Sequence, residues 1–305
     1  MEFGVCIPHY GKPLDVAKML DSVRRAEELG FESVWVTDHI LVPPTLEIIY
    51  RDHMLEPLAL LSHVAAITTR AKVGTSVIIL PYRNPIVVAK MLATIDQLSR
   101  GRLIVGAAVG WMEPEFAALA APFAERGAFS DECLRLIKAL WTQERVSFAG
   151  RYFKFDDMQA SPRPVQQPHP PIWVGGNSGR ARRRVAELGD GWHATAMPLE
   201  ALKAGVAHLR AVWGRQGRQG EPVLSMRISC AIEGVSEEVL HYPPRAGREV
   251  RDALSGSVSA IVDRLAVYQE IGVRHLVLET STQSHAGTAA TLEAFMSRVK
   301  PQLAA

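Results

Sequence analysis

Short apolar runs alternate with longer stretches of helical periodicity along almost the whole chain. Phe3 to Ile7 reads as a first strand. Leu14 to Leu29 reads as a helix stopped by Gly30, and Ser33 to Val36 as a second strand ending at Thr37-Asp38-His39. Leu58 to Thr69 is helical, Lys72 to Leu80 is a third strand, and Pro85 to Leu98 is helical with Gly101 after it. Leu103 to Val109 is a fourth strand ending in Gly110-Trp111, and Arg126 to Trp141 is helical. Arg145 to Phe155 breaks the alternation as a hairpin turning at Ala149-Gly150. A proline-rich connector, Ser161 to Pro171, then leads to a fifth strand that ends in Gly175-Gly176. Trp192 to Thr195 is the sixth strand and Leu199 to Arg215 a helix. Val223 to Glu233 is the seventh strand, Ser255 to Ile271 a helix, His275 to Glu279 the eighth strand and Thr288 to Val299 a closing helix.

Eight strands, each followed by a helix, is the count of a (β/α)₈ TIM barrel. The strands are continuous apolar runs, as buried parallel strands should be. A doubly wound open sheet is the rival, and the count of eight with the closing helix favours the barrel. No composition break, repeat or low-complexity tract divides the chain, so residues 1–305 are expected to form one domain. The stretches 40–54 and 112–171 are expected as insertions over one end of the barrel.

Composition narrows the partners. Thirty-four basic side chains face 32 acidic ones, a net charge of +2, which announces neither nucleic acid nor an acidic membrane. Cys6, Cys133 and Cys230 are isolated, without metal-ligand spacing, and fit buried thiols in a reducing compartment. The chain opens on a strand pattern rather than a signal peptide, and no run approaches a membrane span. A cytoplasmic protein acting on a small molecule is expected, with no metal.

In a barrel, chemistry sits where strands end on the C-terminal face. Those ends here are Pro8-His9-Tyr10, Thr37-Asp38-His39, Ser76 to Tyr82, Ala107 to Trp111, Gly175 to Ser178, His193 to Thr195, and Glu233. Asp38-His39 is the acid/base candidate; neighbours on a strand point to opposite faces, so the two are not expected to form one dyad. Gly74-Thr75-Ser76-Val77 puts a glycine inside a strand, a sign of a bulge or close backbone approach. Gly106-Ala107-Ala108-Val109-Gly110-Trp111 is small for most of its length, so a flat ring could lie along it. A core strand needing small residues is the competing reading. Pro171 to Arg180 reads as strand, glycine turn and helix start, with Asn177 or Ser178 as the cap and free N–H groups suited to an anion. A glycine pair before a helix is also common with nothing bound. The chain has no Gly-x-x-x-x-Gly-Lys-Ser/Thr loop and no Gly-x-Ser-x-Gly elbow. The Gly175-Gly176-x-x-Gly179 turn lacks the Gly-x-Gly start of a dinucleotide fingerprint.

Taken together, Ala26 to His39, Gly74 to Val77 with Leu80-Pro81 and Asn84-Pro85, Leu98 to Arg102, Gly106 to Trp111 with Glu115-Phe116, and Pro171 to Trp192 resemble the luciferase-like oxidoreductases, specifically the branch using the deazaflavin coenzyme F420. The resemblance covers most of the first two hundred residues, and only the general pattern matches beyond them. It implies a (β/α)₈ barrel with the cofactor ring at the centre of its C-terminal face. It also implies a non-proline cis peptide at Ser76–Val77 behind that ring. The residues it places at the cofactor are Asp38, His39, Thr75, Ser76, Val77, Gly106, Ala107, Gly110, Trp111, Gly175, Gly176, Asn177, Ser178 and Thr195, with His39 catalytic. One departure stands out. The family's sugar-phosphate dehydrogenases carry a catalytic Glu where this chain has Trp111, so the carboxylate paired with His39 is expected to be missing and the substrate to be flatter or more apolar.

Three functions follow: a coenzyme F420-dependent oxidoreductase, an FMN-dependent monooxygenase on the same fold, and a ring-binding protein without turnover. Arg180, Arg182 and Arg183 are candidates for the acidic tail of the deazaflavin. Tyr50, Arg51 and His53 are placed near the substrate. The helices around Leu55 to Val64 and Ile86 to Leu98 offer a homodimer surface or the barrel's own outer layer.

Overall fold

A computed structural model describes residues 1–10, 14–44, 54–236, 252–280, 282 and 284–303. Tyr50, Arg51 and His53 lie outside the described residues. The main sheet is a closed ring of parallel strands: β1 (Glu2–Cys6), β2 (Ser33–Val36), β3 (Lys72–Thr75), β5 (Leu103–Ala108), β8 (Ile172–Gly175), β9 (Gly191–Thr195), β10 (Val223–Ile232) and β12 (His275–Thr280). A pairing of β9 with β10, Trp192 opposite Leu224, and one of β1 with β12, Phe3 opposite Leu276, close the ring. That closure excludes the open sheet. Helices lie between successive barrel strands, and together they make the (β/α)₈ barrel.

Period-two alternation sorts the strand side chains. Val5, Val34, Val36, Val73, Leu103, Val105, Ile172, Val174, Leu276 and Leu278 join the continuous core under the helices. A different set fills the barrel. Trp35 stacks on Trp173 (ring centroids 5.4 Å apart) and on His193 (5.2 Å, ring planes nearly parallel). Room for the Trp35 indole comes from two glycines: a Cβ on Gly4 would lie 2.6 Å from its Nε1, and one on Gly74 2.5 Å from its ring.

Four local features depart from the sequence expectation. The third strand does not run unbroken to Leu80. It breaks at a cis Ser76–Val77 peptide and resumes as β4 (Ile78–Ile79), followed by a turn of 3₁₀ helix over Leu80–Tyr82. A short helix, Glu113–Ala118, sits within the first part of the larger insertion. The expected helix from Ser255 begins only at Val258, because the Ser257 hydroxyl caps it by accepting from the Ala260 N–H. The residues before it form β11 (Ala253–Gly256), parallel to the end of β10. The closing helix starts earlier than Thr288, at His285, where Ser284 caps it. The hairpin is present as β6 (Arg145–Ala149) and β7 (Lys154–Gln159). Cys6, Cys133 and Cys230 are buried thiols. Among the described residues no helix is long and apolar enough to cross a membrane.

Candidate active site at the C-terminal mouth

His39 follows β2, and its Nδ1 lies 2.7 Å from Oε2 of Glu115, on the short helix after β5. Both residues are buried. The same carboxylate accepts the Tyr82 hydroxyl (2.8 Å) and the N–H groups of Ile40 (2.5 Å) and Leu41 (3.1 Å). Burial pushes the Glu115 carboxyl up. The His39 bond and charge, the Ile40 N–H and the Tyr82 hydroxyl outweigh it, and the group ends below its usual range. The carboxylate expected to be missing beside His39 is therefore present, supplied by Glu115 rather than by position 111. Trp111 meets the His39 ring edge-on, with centroids 6.0 Å apart.

Asp38 points elsewhere, as strand alternation requires. Arg83 grips it with two bonds (2.7 and 3.0 Å), and the Ile79 N–H adds a third (2.8 Å). Arg83 also reaches Glu56 (2.7 Å). Asp38 thus ties the second strand end to β4 and to the helix beginning at Pro57.

The floor between these groups and the glycine turn is made of small residues. A Cβ on Gly106 would fall 1.9 Å from the Thr75 carbonyl oxygen. Thr75 in turn donates its hydroxyl to the Gly106 carbonyl at 2.7 Å, and its side chain is spent on that bond. A Cβ on Gly175 would meet Val77 at 3.0 Å and Ala108 at 3.3 Å, and one on Gly110 would meet Ile79 and Phe116 at 2.7 Å. Val77, Ala108, Gly110, Trp111, Gly176 and Thr195 are all half-buried at this mouth. Ala107 instead faces the core under the helices. Two glycines without side chains, the flat backbone of β5 and β8 beside them, and Val77 against both fit a planar ring.

Gly176 adopts φ +107°, which favours glycine. Ser178 caps the following helix by accepting the Ala181 N–H (3.1 Å). Asn177 is not the cap: its amide donates to the Thr195 carbonyl (2.9 Å) and accepts the Thr195 N–H (3.1 Å), tying the turn to β9. Arg182 is committed to His208 and to the Asn177 carbonyl, whereas Arg180 and Arg183 are exposed.

Beneath the mouth, Arg227, Glu279, Ser225 and His275, to which the sequence reading gave no role, join Tyr10, Ser76 and His193. Arg227 on β10 donates to the Ser76 carbonyl (3.0 Å), pairs with Glu279 (2.7 Å) and bonds the Tyr10 hydroxyl, which also bonds Glu279. Burial opposes its charge, but Cys6, Glu279 and Tyr10 raise it well above the usual value, so it stays a cation. Deeper still, the Ser76 hydroxyl lies 2.8 Å from His193 Nε2, and His193 Nδ1 lies 2.8 Å from the Ser225 hydroxyl. That hydroxyl is 3.0 Å from His275 Nδ1, and His275 Nε2 is 2.8 Å from Ser33. The signal was in the sequence: Ser225 and Arg227, like His275 and Glu279, recur with even spacing in otherwise apolar strands and so share the inner face.

A family model described as luciferase-like monooxygenase matches residues 1–243. The FMNH2-dependent dimethylsulfone monooxygenase of Pseudomonas putida is 36% identical over 163 residues, 52% of this chain and 45% of that one. The F420-dependent glucose-6-phosphate dehydrogenase of Amycolatopsis mediterranei is 37% identical over 176 residues, 56% of this chain and 51% of that one. The crystal structure of the monooxygenase RslO1 from Streptomyces bottropensis shares the fold, with a TM-score of 0.82 over 99% of each chain at 22% identity.

Proposed function

We propose, from the premise that the chain belongs to the luciferase-like monooxygenase family and is an oxidoreductase with a flavin or deazaflavin cofactor, that the cofactor is the deazaflavin coenzyme F420 and that His39 exchanges a proton with a small organic substrate. The observation that carries the reading is the 2.7 Å His39–Glu115 contact at the mouth of the barrel. A carboxylate on Nδ1 fixes the imidazole tautomer and orientation, and so directs proton exchange to Nε2.

Bound over the small-residue floor, a deazaflavin would supply two-electron hydride chemistry. The chain's own residues do the rest. Asp38, Thr75, Ser76, Val77, Gly106, Ala107, Gly110, Gly175 and Gly176 build or brace the floor. Trp111 closes the side next to His39, and favours a flat or apolar substrate. Asn177, Ser178 and Thr195 hold the turn at the rim, where exposed Arg180 and Arg183 suit the acidic tail of coenzyme F420 better than the single phosphate of FMN. His39 takes the proton of a substrate hydroxyl or amine when the neighbouring carbon is oxidised, and returns it in the opposite direction.

A second reading, an FMN-dependent monooxygenase, is favoured by the Pseudomonas relative. Equilibrium titrations of the protein with coenzyme F420 and with FMN, followed by ring fluorescence, separate the two. Tight binding of coenzyme F420 alone is expected. Tight binding of FMN alone would move the function to oxygen chemistry, and binding of neither would overturn both.

A further inference from the structure

The array Trp35–Ser33–His275–Ser225–His193–Ser76 runs through the barrel interior from near its floor to its C-terminal mouth. It joins five of the eight strands or strand ends, and apart from Ser76, which braces the ring floor, the chemistry proposed above uses none of it. Trp35 Nε1 can only donate, and it does so to the Ser33 oxygen at 2.8 Å. Burial, with the Arg227 charge added, lowers His193 to about 3, and burial lowers His275 well below its usual value. Both imidazoles are therefore neutral around pH 7, with one N–H and one lone pair each.

Three proton arrangements satisfy every contact between neighbours. In one, Ser33 donates to His275 Nε2, His275 Nδ1–H donates to Ser225, Ser225 donates to His193 Nδ1, and His193 Nε2–H donates to Ser76. A second reverses all four bonds, and a third turns both Nδ1–H groups onto Ser225 while Ser33 and Ser76 each donate to an Nε2. Each leaves one hydroxyl hydrogen without an acceptor among the described groups. The reversed arrangement strands it on Ser33, which is fully buried (0% exposed) and already accepts from Trp35, and the third strands it on Ser225, which is buried in the barrel interior and already accepts twice. The first leaves it on Ser76, which is 6% exposed and lies next to the half-buried Val77 at the mouth. An unmet donor is costly in the barrel interior and useful at a ligand site.

We infer that this array fixes the direction of its own hydrogen bonds, so that Ser76 presents its hydroxyl as an obligate donor to a hydrogen-bond acceptor, a carbonyl oxygen or imine nitrogen, of the bound ring. Ser225, His193 and His275 are positioning residues in this scheme, acting through Ser76. The ligand side of the inference rests on the ring-binding reading above; the proton arrangement does not.

The test is ¹⁵N-resolved NMR of the histidine rings in the full-length protein without ligand. His193 is expected as the Nε2–H tautomer and His275 as the Nδ1–H tautomer. The opposite tautomer of either ring, or a cationic ring at neutral pH, would overturn the inference whatever the protein binds. Ser225→Ala interrupts the array without touching Ser76. It should release His193 to a mixture of tautomers and weaken ring binding about tenfold, the loss of one hydrogen bond, with recovery in Ser225→Thr. Unchanged ring affinity in Ser225→Ala would overturn the donor role of Ser76. If neither FMN nor coenzyme F420 binds, the ring-binding reading fails, and the tautomers still decide the array.

Discussion

Glu115 meets His39 across 76 positions of chain, with Oε2 2.7 Å from Nδ1, and the carboxylate is held by three further donors from Ile40, Leu41 and Tyr82. Those donors keep it ionised and still. Glu115→Gln keeps the shape and one acceptor oxygen, but it removes the charge and sets an amide N–H against at least one existing donor. Turnover should fall by about a hundredfold, the scale of a misdirected general acid or base, while cofactor affinity stays within about twofold. Steady-state kinetics beside a binding titration reads both. Turnover near wild type would remove Glu115 from the site.

The barrel was legible in the sequence because buried parallel strands are continuous apolar runs closed by glycine and followed by periodic helices. Ser33–Val36 and Leu199–Arg215 fall where the pattern put them. What escaped was set by contacts distant in sequence. The partner of His39 is carried by a six-residue helix too short to show a period. Ser255 and Gly256 read as the start of a helix, and pairing of β11 with β10 decides the matter. Asp38 reads as an acid/base group until Arg83, 45 positions away, is seen to hold it.

His9 and His193 are each lowered from 6.5 to about 3, chiefly by burial and then by Arg227. The sign follows from proton counting. The folded protein keeps these rings neutral, whereas the unfolded chain takes up protons below pH 6.5. Their contribution is complete above that pH and is lost as the pH falls toward the folded values. At pH 5 each ring costs about 2 kcal/mol, about 4 kcal/mol for the two, and His275 acts in the same direction. That is a large share of an ordinary stability of about 5–15 kcal/mol. The urea midpoint should therefore drop steeply between pH 7 and pH 5. A flat profile would mean that the rings are not sealed inside the barrel.

Two glycine substitutions should have opposite effects. Gly106→Ala would set a methyl group 1.9 Å from the Thr75 carbonyl oxygen, against backbone that cannot rotate away. A cost of about 3 kcal/mol, or failure to fold, is expected. Gly214, near the end of the Leu199–Arg215 helix, has nothing within 4 Å of an added methyl group. Gly214→Ala should be neutral or gain up to about 1 kcal/mol from helix propensity. Thermal denaturation of the pair checks the floor independently of any ligand.

Asn177 separates holding the rim from holding the fold. Its two bonds to Thr195 are exposed, so Asn177→Ala should cost about 1 kcal/mol, a shift of only a few degrees in Tm. The same two bonds fix the turn that directs the Gly179–Leu188 helix start and Arg180 toward the rim. If a phosphate-bearing cofactor binds there, the variant should lose about tenfold in affinity for coenzyme F420, with little change in affinity for a ring fragment that lacks the phosphate tail. Equal losses for the two would mean that the turn shapes the ring floor, while no loss for either would place the phosphate elsewhere on the barrel.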